Sequence, residues 1–96
     1  MIQNENIEIH KQICQGMTEL YAKKNSDYGD SFAKLRAEYP EAICIRIQDK
    51  VNRLKSLLVD RKAQQVNDES IDDTLMDIAN YAVMELVERK MDKQNE

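Results

Sequence analysis

Hydrophobic residues recur every three or four positions along most of the chain, which is the spacing of an amphipathic α-helix. The first such stretch covers about residues 5–24. A longer one, "PEAICIRIQDKVNRLKSLLVDRKAQQ", begins at Pro40, which suits the first turn of a helix because its missing N–H would have no partner there. The predicted apolar stripe of this helix consists of Ile43, Ile47, Val51, Leu54 and Leu58.

The segment "KKNSDYGDSF", residues 23–32, separates the first helix from a short one that carries Phe32 and Leu35. Gly29 permits a positive φ and Asp27 can bond neighbouring N–H groups, so we predict a loop here. Either Asp30 or Ser31 can cap the short helix that follows.

A polar segment, "QQVNDES", precedes the last predicted helix, with Ser70 as its N-cap and Asp73 as the acid of a capping box. Its predicted buried side consists of Ile71, Leu75, Ile78, Ala82 and Leu86. Residues 91–96 have no apolar pattern, so we predict a frayed tail. The sequence therefore predicts one all-α domain over residues 1–90, a small bundle of about four helices that homo-oligomerisation completes.

The composition supports this fold class and argues against duplex nucleic acid and membranes as partners. One proline, two glycines, one phenylalanine and no tryptophan in 96 residues argue against a β-sandwich. A net charge of −4 argues against a broad surface for duplex nucleic acid. We expect a cytoplasmic protein without a membrane partner, because the chain has neither a signal-peptide pattern nor an apolar run of about 20 residues.

The last predicted helix carries Asp73, Asp77 and Asn80 at i, i+4 and i+7, which places them in one narrow arc. Two carboxylates one turn apart suit Mg²⁺, a hard cation that prefers oxygen ligands. Alternatively, acids near a helix N-terminus are stabilised by the macrodipole by about 0.3–1 kcal/mol each. That explanation suits Asp73 better than Asp77, and both interpretations stay open.

The third helix carries a basic stripe with one acid, namely Arg46, Asp49, Lys50 and Arg53. Such a stripe can hold a phosphate, with arginine offering paired donors and lysine a point charge. The alternative is a solvated face whose ion pairs contribute only a few tenths of a kcal/mol. In the preceding loop, Tyr28 can stack on a base and Lys24 can reach a phosphate, or the loop is only a turn.

Three segments taken in order, "KKNSDYGDSF", "IRIQDKVNRLKSLL" and "DESIDDTLMDIANYAVM", resemble a phage and prophage family called nucleotide modification associated domain 1. The resemblance covers residues 20–90 and implies a protein of the bacterial host cytoplasm. The positions that carry it are Lys24, Asp27, Tyr28, Gly29, Asp49, Lys50, Arg53, Asp73, Asp77, Asn80 and Tyr81.

That family is similar in turn to the all-α nucleoside triphosphate pyrophosphatases of the MazG and dimeric dUTPase type. In those enzymes an ExxE pair and an ExxD pair bind Mg²⁺ and activate water against the α-phosphate. Here Asp77 matches the terminal acid of the second pair, but Thr74 stands where glutamate is expected and Asp73 is offset by one residue. In place of the first pair the chain has Lys50 and Arg53, so the resemblance supports nucleotide handling more than hydrolysis.

The leading hypothesis is a protein that binds a phosphorylated nucleotide, or a nucleotide-derived signal, between its helices and sequesters it. Basic side chains would bind the phosphate, and a tyrosine would stack on the base. The acids or the amide of asparagine would bind either the ribose hydroxyls or an ion. The predicted ligand-binding residues are Lys24, Asp27, Tyr28, Gly29, Arg46, Lys50, Arg53, Asn80 and Tyr81. We expect this site at or near a homo-oligomer interface, and the identity of the nucleotide stays open.

The second hypothesis is a Mg²⁺-dependent nucleoside triphosphate pyrophosphohydrolase. Its catalytic acids would be Asp77, Asp73 and Asp49, with Asp73 and Asp77 as metal ligands. A third hypothesis is a structural or partner-binding helical module whose charges are simply solvated.

Overall fold

Every secondary-structure element in the described part of the chain is helical. The structure is a computed structural model that describes the backbone of residues 2–28, 31–60 and 68–95, and the side chains of residues 4–25, 31–59 and 70–95. The elements are helices α1 (Ile2–Tyr28), α2 (Ser31–Glu38) and α3 (Ala42–Lys55), a π-helical turn π1 (Ser56–Asp60), and helix α4 (Asp68–Gln94). The predicted all-α fold with four helices is confirmed for these residues.

The chain divides into two compact units, residues 1–31 and residues 32–96. Helix α1 makes up the first unit and extends beyond the predicted residues 5–24 at both ends. The loop predicted after residue 24 is therefore wrong as far as Tyr28, because this stretch is helical. No proline or glycine interrupts it, and residues such as Asn25 cost a helix less than about 0.7 kcal/mol each relative to alanine. Gly29 and Asp30 lie outside the described residues.

In the second unit, a turn at Tyr39–Glu41 joins α2 to α3. The backbone N–H of Ala42 donates to the carbonyl of Tyr39 at 2.9 Å, and Ala42 is the first residue of α3. Pro40 therefore lies in the turn before the helix rather than in its first turn. The third helix, predicted to reach residue 65, is described as far as π1, and residues 61–67 lie outside the described part.

Helix α3 and π1 pack against α4. Ala42 in α3 and Leu57 in π1 are buried apolar residues, 4% and 8% exposed. The predicted stripe included Leu58, which is 43% exposed, whereas Leu57 is only 8% exposed. Periodicity locates the apolar side of a helix but leaves open which edge of that side meets its neighbour.

The face of α4 that packs against α3 differs from the predicted one. Thr74 is 1% exposed, whereas Leu75 and Leu86, predicted to be buried, are 48% and 56% exposed. The Thr74 hydroxyl donates to the carbonyl of Ser70 at 2.8 Å, so its burial leaves no polar group unpaired. Ser70, the predicted N-cap, lies inside the helix, which begins at Asp68.

Helix α2 is joined to α4 by an arginine with two acidic partners, which we call the Arg36 clamp. The Nε and Nη2 atoms of Arg36 donate to the two carboxylate oxygens of Glu85 at 3.0 and 2.8 Å, and Nη1 donates to Asp92 at 3.0 Å. The side chains of Arg36 and Glu85 are only 18% and 16% exposed. The hydrogen bonds from Arg36 lower the pKa of Glu85, and the same bonds raise the pKa of Arg36 above its ordinary value.

The clamp includes part of the segment that the sequence assigned to a tail. Helix α4 continues through Gln94, so residues 91–94 are helical and present Asp92 to Arg36. The division of the chain into one domain over residues 1–90 and a tail stays a prediction.

Candidate functional site

Helices α3 and α4 border an open groove of about 680 Å³, which lies entirely within the second unit. The residues that line it are Asp49, Lys50, Asn52, Arg53, Ser56, Leu57, Ser70, Asp73, Thr74 and Asp77. Five of them are charged, three acids and two bases, and the sequence singled out all five. Most of the predicted acidic arc and most of the predicted basic stripe therefore face the same space.

An ion pair joins the two helices across this groove. The Nζ atom of Lys50 on α3 lies 3.2 Å from Oδ2 of Asp77 on α4. Their side chains are 27% and 43% exposed, so water screens the attraction only in part. The ammonium group of Lys50 is thereby held at the groove instead of extending freely into solvent.

Arg53 lies about one turn further along α3 and is exposed. Its side chain has no salt bridge or hydrogen bond with any residue that the structure describes. A guanidinium group offers five N–H donors in a planar fork that matches two oxygens of a phosphate or carboxylate. The donors of Arg53 are therefore available to a ligand in the groove.

The residues that line the groove lie in a part of the chain that matches a protein-family model. Residues 24–88 match the model of a family described as nucleotide modification associated domain 1. The chain belongs to this family. The match includes all of α2, α3 and π1 and most of α4, and thus every residue that lines the groove. No curated protein and no solved structure matches the chain.

Half of the groove lining in this nucleotide modification associated domain was missed by the sequence reasoning about ligands. The missed residues are Asn52, Ser56, Leu57, Ser70 and Thr74. A helical spacing signal exists for all of them, because each lies three or four residues from a charged residue of the lining on the same helical segment. Asn52 already accepts a hydrogen bond from Gln48 at 3.2 Å.

Several predicted ligand residues lie elsewhere in the second unit. Arg46 is exposed on α3 but is not part of the groove lining. Tyr81 packs against Phe32 of α2, with ring centroids 6.3 Å apart at an angle of 46°, and Asn80 is half-buried outside the lining. The structure therefore gives Tyr81 a packing contact that the sequence reasoning did not foresee.

The predicted ligands of the segment "KKNSDYGDSF" belong to the first unit. Lys24 is exposed on α1. The side chains of Asp27 and Tyr28, and Gly29 as a whole, lie outside the described residues, so their assignments stay predictions.

The carboxylates of the groove do not form a compact metal cluster. Among the side chains that the structure describes, no three or more His, Cys, Asp or Glu residues are grouped so that they could hold an ion. Asp77 already contacts the ammonium of Lys50, and the hydroxyl of Thr74, which is buried, donates to the carbonyl of Ser70. As arranged here, the described side chains do not by themselves form a metal site.

No helix in the described part of the chain is both long enough and apolar enough to cross a membrane.

Proposed function

We propose that the groove between α3 and α4 binds the phosphate group of a nucleotide or of a nucleotide-derived molecule. The observation that carries this proposal is the presence of Lys50 and Arg53 in one groove with Asp73 and Asp77. Membership of the nucleotide modification associated domain 1 family supports a nucleotide as the class of ligand.

The two basic residues have different tasks in this proposal. Arg53 donates two parallel hydrogen bonds to a phosphate, since its donors have no partner among the described residues. Lys50 adds a point charge. Its ammonium group now lies 3.2 Å from the carboxylate of Asp77, so an incoming phosphate competes with Asp77 for this cation. The first turn of α4, which contributes Ser70 to the lining, adds the positive end of a helix dipole.

In this proposal, the acids of the groove bind the ribose of the nucleotide. Asp73 and Asp77 carry acceptor oxygens that suit the hydroxyl groups of a ribose, and they repel a second phosphate. A groove with both charges therefore favours a ligand that has anionic phosphate at one position and hydrogen-bond donors at another.

Binding without turnover amounts to sequestration of the nucleotide. The resemblance to phage and prophage proteins supports action in the cytoplasm of a bacterial host, and the net charge of −4 supports a small ligand over a duplex. The second candidate function, Mg²⁺-dependent pyrophosphohydrolysis, draws support from one observation. Its three predicted catalytic acids, Asp49, Asp73 and Asp77, all line the groove.

Isothermal titration calorimetry of matched arginine variants tests the proposal. Nucleoside triphosphates, dinucleotides and cyclic nucleotides are titrated with and without Mg²⁺ into wild type, Arg53→Ala and Arg46→Ala. Loss of a charge-assisted hydrogen bond costs about 1.5–3 kcal/mol, so Arg53→Ala should weaken binding on the order of 10- to 150-fold. Arg46→Ala removes the same side chain from the same helix outside the groove and should leave the affinity unchanged.

Equal affinities of the two variants would contradict phosphate binding by Arg53. Phosphorus NMR of the same mixtures separates the two functions, because only the hydrolase forms a nucleoside monophosphate and pyrophosphate. Products that disappear in Asp77→Asn would establish hydrolysis. An absence of binding across the whole panel would favour the structural module.

A further inference from the structure

Helix α4 exposes a second, apolar surface. Leu75, Ala79, Ala82 and Leu86 follow one another at intervals of four, three and four residues, which aligns them along one side of the helix. All four are exposed, the leucines by 48% and 56%. We call these four residues the α4 stripe.

The α4 stripe has a symmetric order of side chains. The stripe reads leucine, alanine, alanine, leucine in either direction along the helix. Its midpoint lies between residues 80 and 81. The flanking charges are opposite, because exposed Asp72 continues the stripe at one end and exposed Arg89 at the other. The same spacing extends to an aspartate at position 68 and a lysine at position 93.

We propose that α4 pairs in antiparallel orientation with α4 of a second copy of the chain, about a twofold axis at this midpoint. Each position then faces its counterpart, so Leu75 lies opposite Leu86 and Ala79 opposite Ala82 of the second copy. The axis also places Asp72 of each copy opposite Arg89 of the other, so the dimer contains two such pairs of opposite charge. Such an isologous contact is the usual interface of a symmetric dimer.

The side chains fit the close approach that this pairing requires. A repeat of four and three residues is that of a left-handed coiled coil. Alanines at the centre let the helix axes approach to about 8 Å, and the leucines fill the space on either side. A parallel pair is disfavoured, because it would place Asp72 against Asp72 and Arg89 against Arg89.

The pairing does not occlude the groove. At about 100° per residue, Asp73 and Asp77 lie on the opposite side of α4 from the stripe. The contact between the two α4 helices therefore does not involve the side of α4 that lines the groove. Nucleotide binding and dimerisation can consequently succeed or fail independently, and this inference does not rest on the proposed function.

Charge exchange between the two ends of the stripe tests the register. Asp72→Arg places arginine against Arg89 twice per dimer, and Arg89→Asp places aspartate against Asp72 twice. Exposed ion pairs contribute up to about 1 kcal/mol each, so each variant should raise the dimer dissociation constant on the order of ten- to thirty-fold. An equimolar mixture of the two variants should restore the dimer, because every facing pair then has opposite charges.

The double variant Asp72→Arg/Arg89→Asp should also restore the dimer. Sedimentation velocity of the full chain measures all of these species, and circular dichroism confirms that each variant is folded. Glu38→Arg and Lys55→Asp are matched controls, because they make the same changes of charge at exposed positions outside α4. They should leave the dimer intact.

Leu86→Ser provides a second test that does not depend on charge. Leu86 is 56% exposed in the single chain, so the change should spare the fold and dissociate the dimer. Val59→Ser, at a residue that is 71% exposed in π1, should also spare the fold but leave the dimer intact. A wild-type monomer would overturn the proposal. So would an oligomer that persists in Asp72→Arg and Leu86→Ser, which would point to the exposed Ile9 and Ile13 of α1 instead.

Discussion

The Arg36 clamp gives the sharpest prediction about stability. Arg36→Ala removes two hydrogen bonds of 3.0 and 2.8 Å to Glu85 and leaves a carboxylate that is only 16% exposed without its partner. Hydrogen bonds to charged groups contribute about 1.5–3 kcal/mol, and the bond to Asp92 adds little because that side chain is 63% exposed. We expect a loss of about 2 kcal/mol.

For a chain of this size, a loss of about 2 kcal/mol lowers the melting temperature by roughly 8–16 °C. Thermal unfolding followed by circular dichroism measures this shift. Lys34→Ala is the matched control, since Lys34 is an exposed base on the same helix and its loss should cost less than about 0.5 kcal/mol. The loss of stability in Arg36→Lys should lie between those of Arg36→Ala and Lys34→Ala, because lysine keeps the charge but not the paired hydrogen bonds.

Acidic pH provides an internal check on the clamp. Because the pKa of Glu85 is lowered in the folded state, the contribution of the clamp is fully present above the ordinary glutamate value of about 4.3. It is lost as the pH falls through the lower, folded value. The gap in stability between wild type and Arg36→Ala should therefore be constant near neutral pH and narrow only under acidic conditions. A gap equal to that of Lys34→Ala, or one that persists in acid, would refute this reasoning.

Three further pairs of substitutions test the packing of the second unit, each by urea denaturation. Leu57→Ala should cost about 2–5 kcal/mol and Leu58→Ala much less, because the first is 8% and the second 43% exposed; equal costs would contradict the assigned core. Thr74→Val should cost about 0.5–1.5 kcal/mol, whereas Thr74→Glu should cost several by burying a charge. A stable Thr74→Glu variant would show instead that this position can hold a glutamate. Tyr81→Leu should lose the contact with Phe32, about 0.5–1.5 kcal/mol, while Tyr81→Phe should retain most of it.

The sequence predicted the number and order of the helices because apolar spacing and helix-stop residues are local signals. It did not predict which side of α4 would pack. Leu75 and Leu86 form a regular apolar stripe and were assigned to the core, but the face that meets α3 contains Thr74. A single threonine whose hydroxyl bonds to the preceding turn gives no signal in a hydrophobic pattern.

The candidate site was predictable in its charges but not in its contacts. The spacing of Lys50 and Arg53 on one helix, and of Asp73 and Asp77 on another, identified two charged faces. That these faces line the same groove depends on the packing of α3 against α4, which no local pattern specifies. The same holds for the position of Tyr81, whose partner Phe32 lies far away in the sequence.

A nucleotide bound in the groove between α3 and α4 should affect the backbone of both helices. The most direct measurement is a ¹H–¹⁵N correlation spectrum of the labelled protein, recorded while a nucleotide identified by calorimetry is titrated. We expect the largest shifts in the amides of Lys50–Leu57 and Ser70–Asp77, whereas the amides of Ser31–Glu38 should stay in place. Saturable shifts that are largest outside these two groove segments would contradict this expectation.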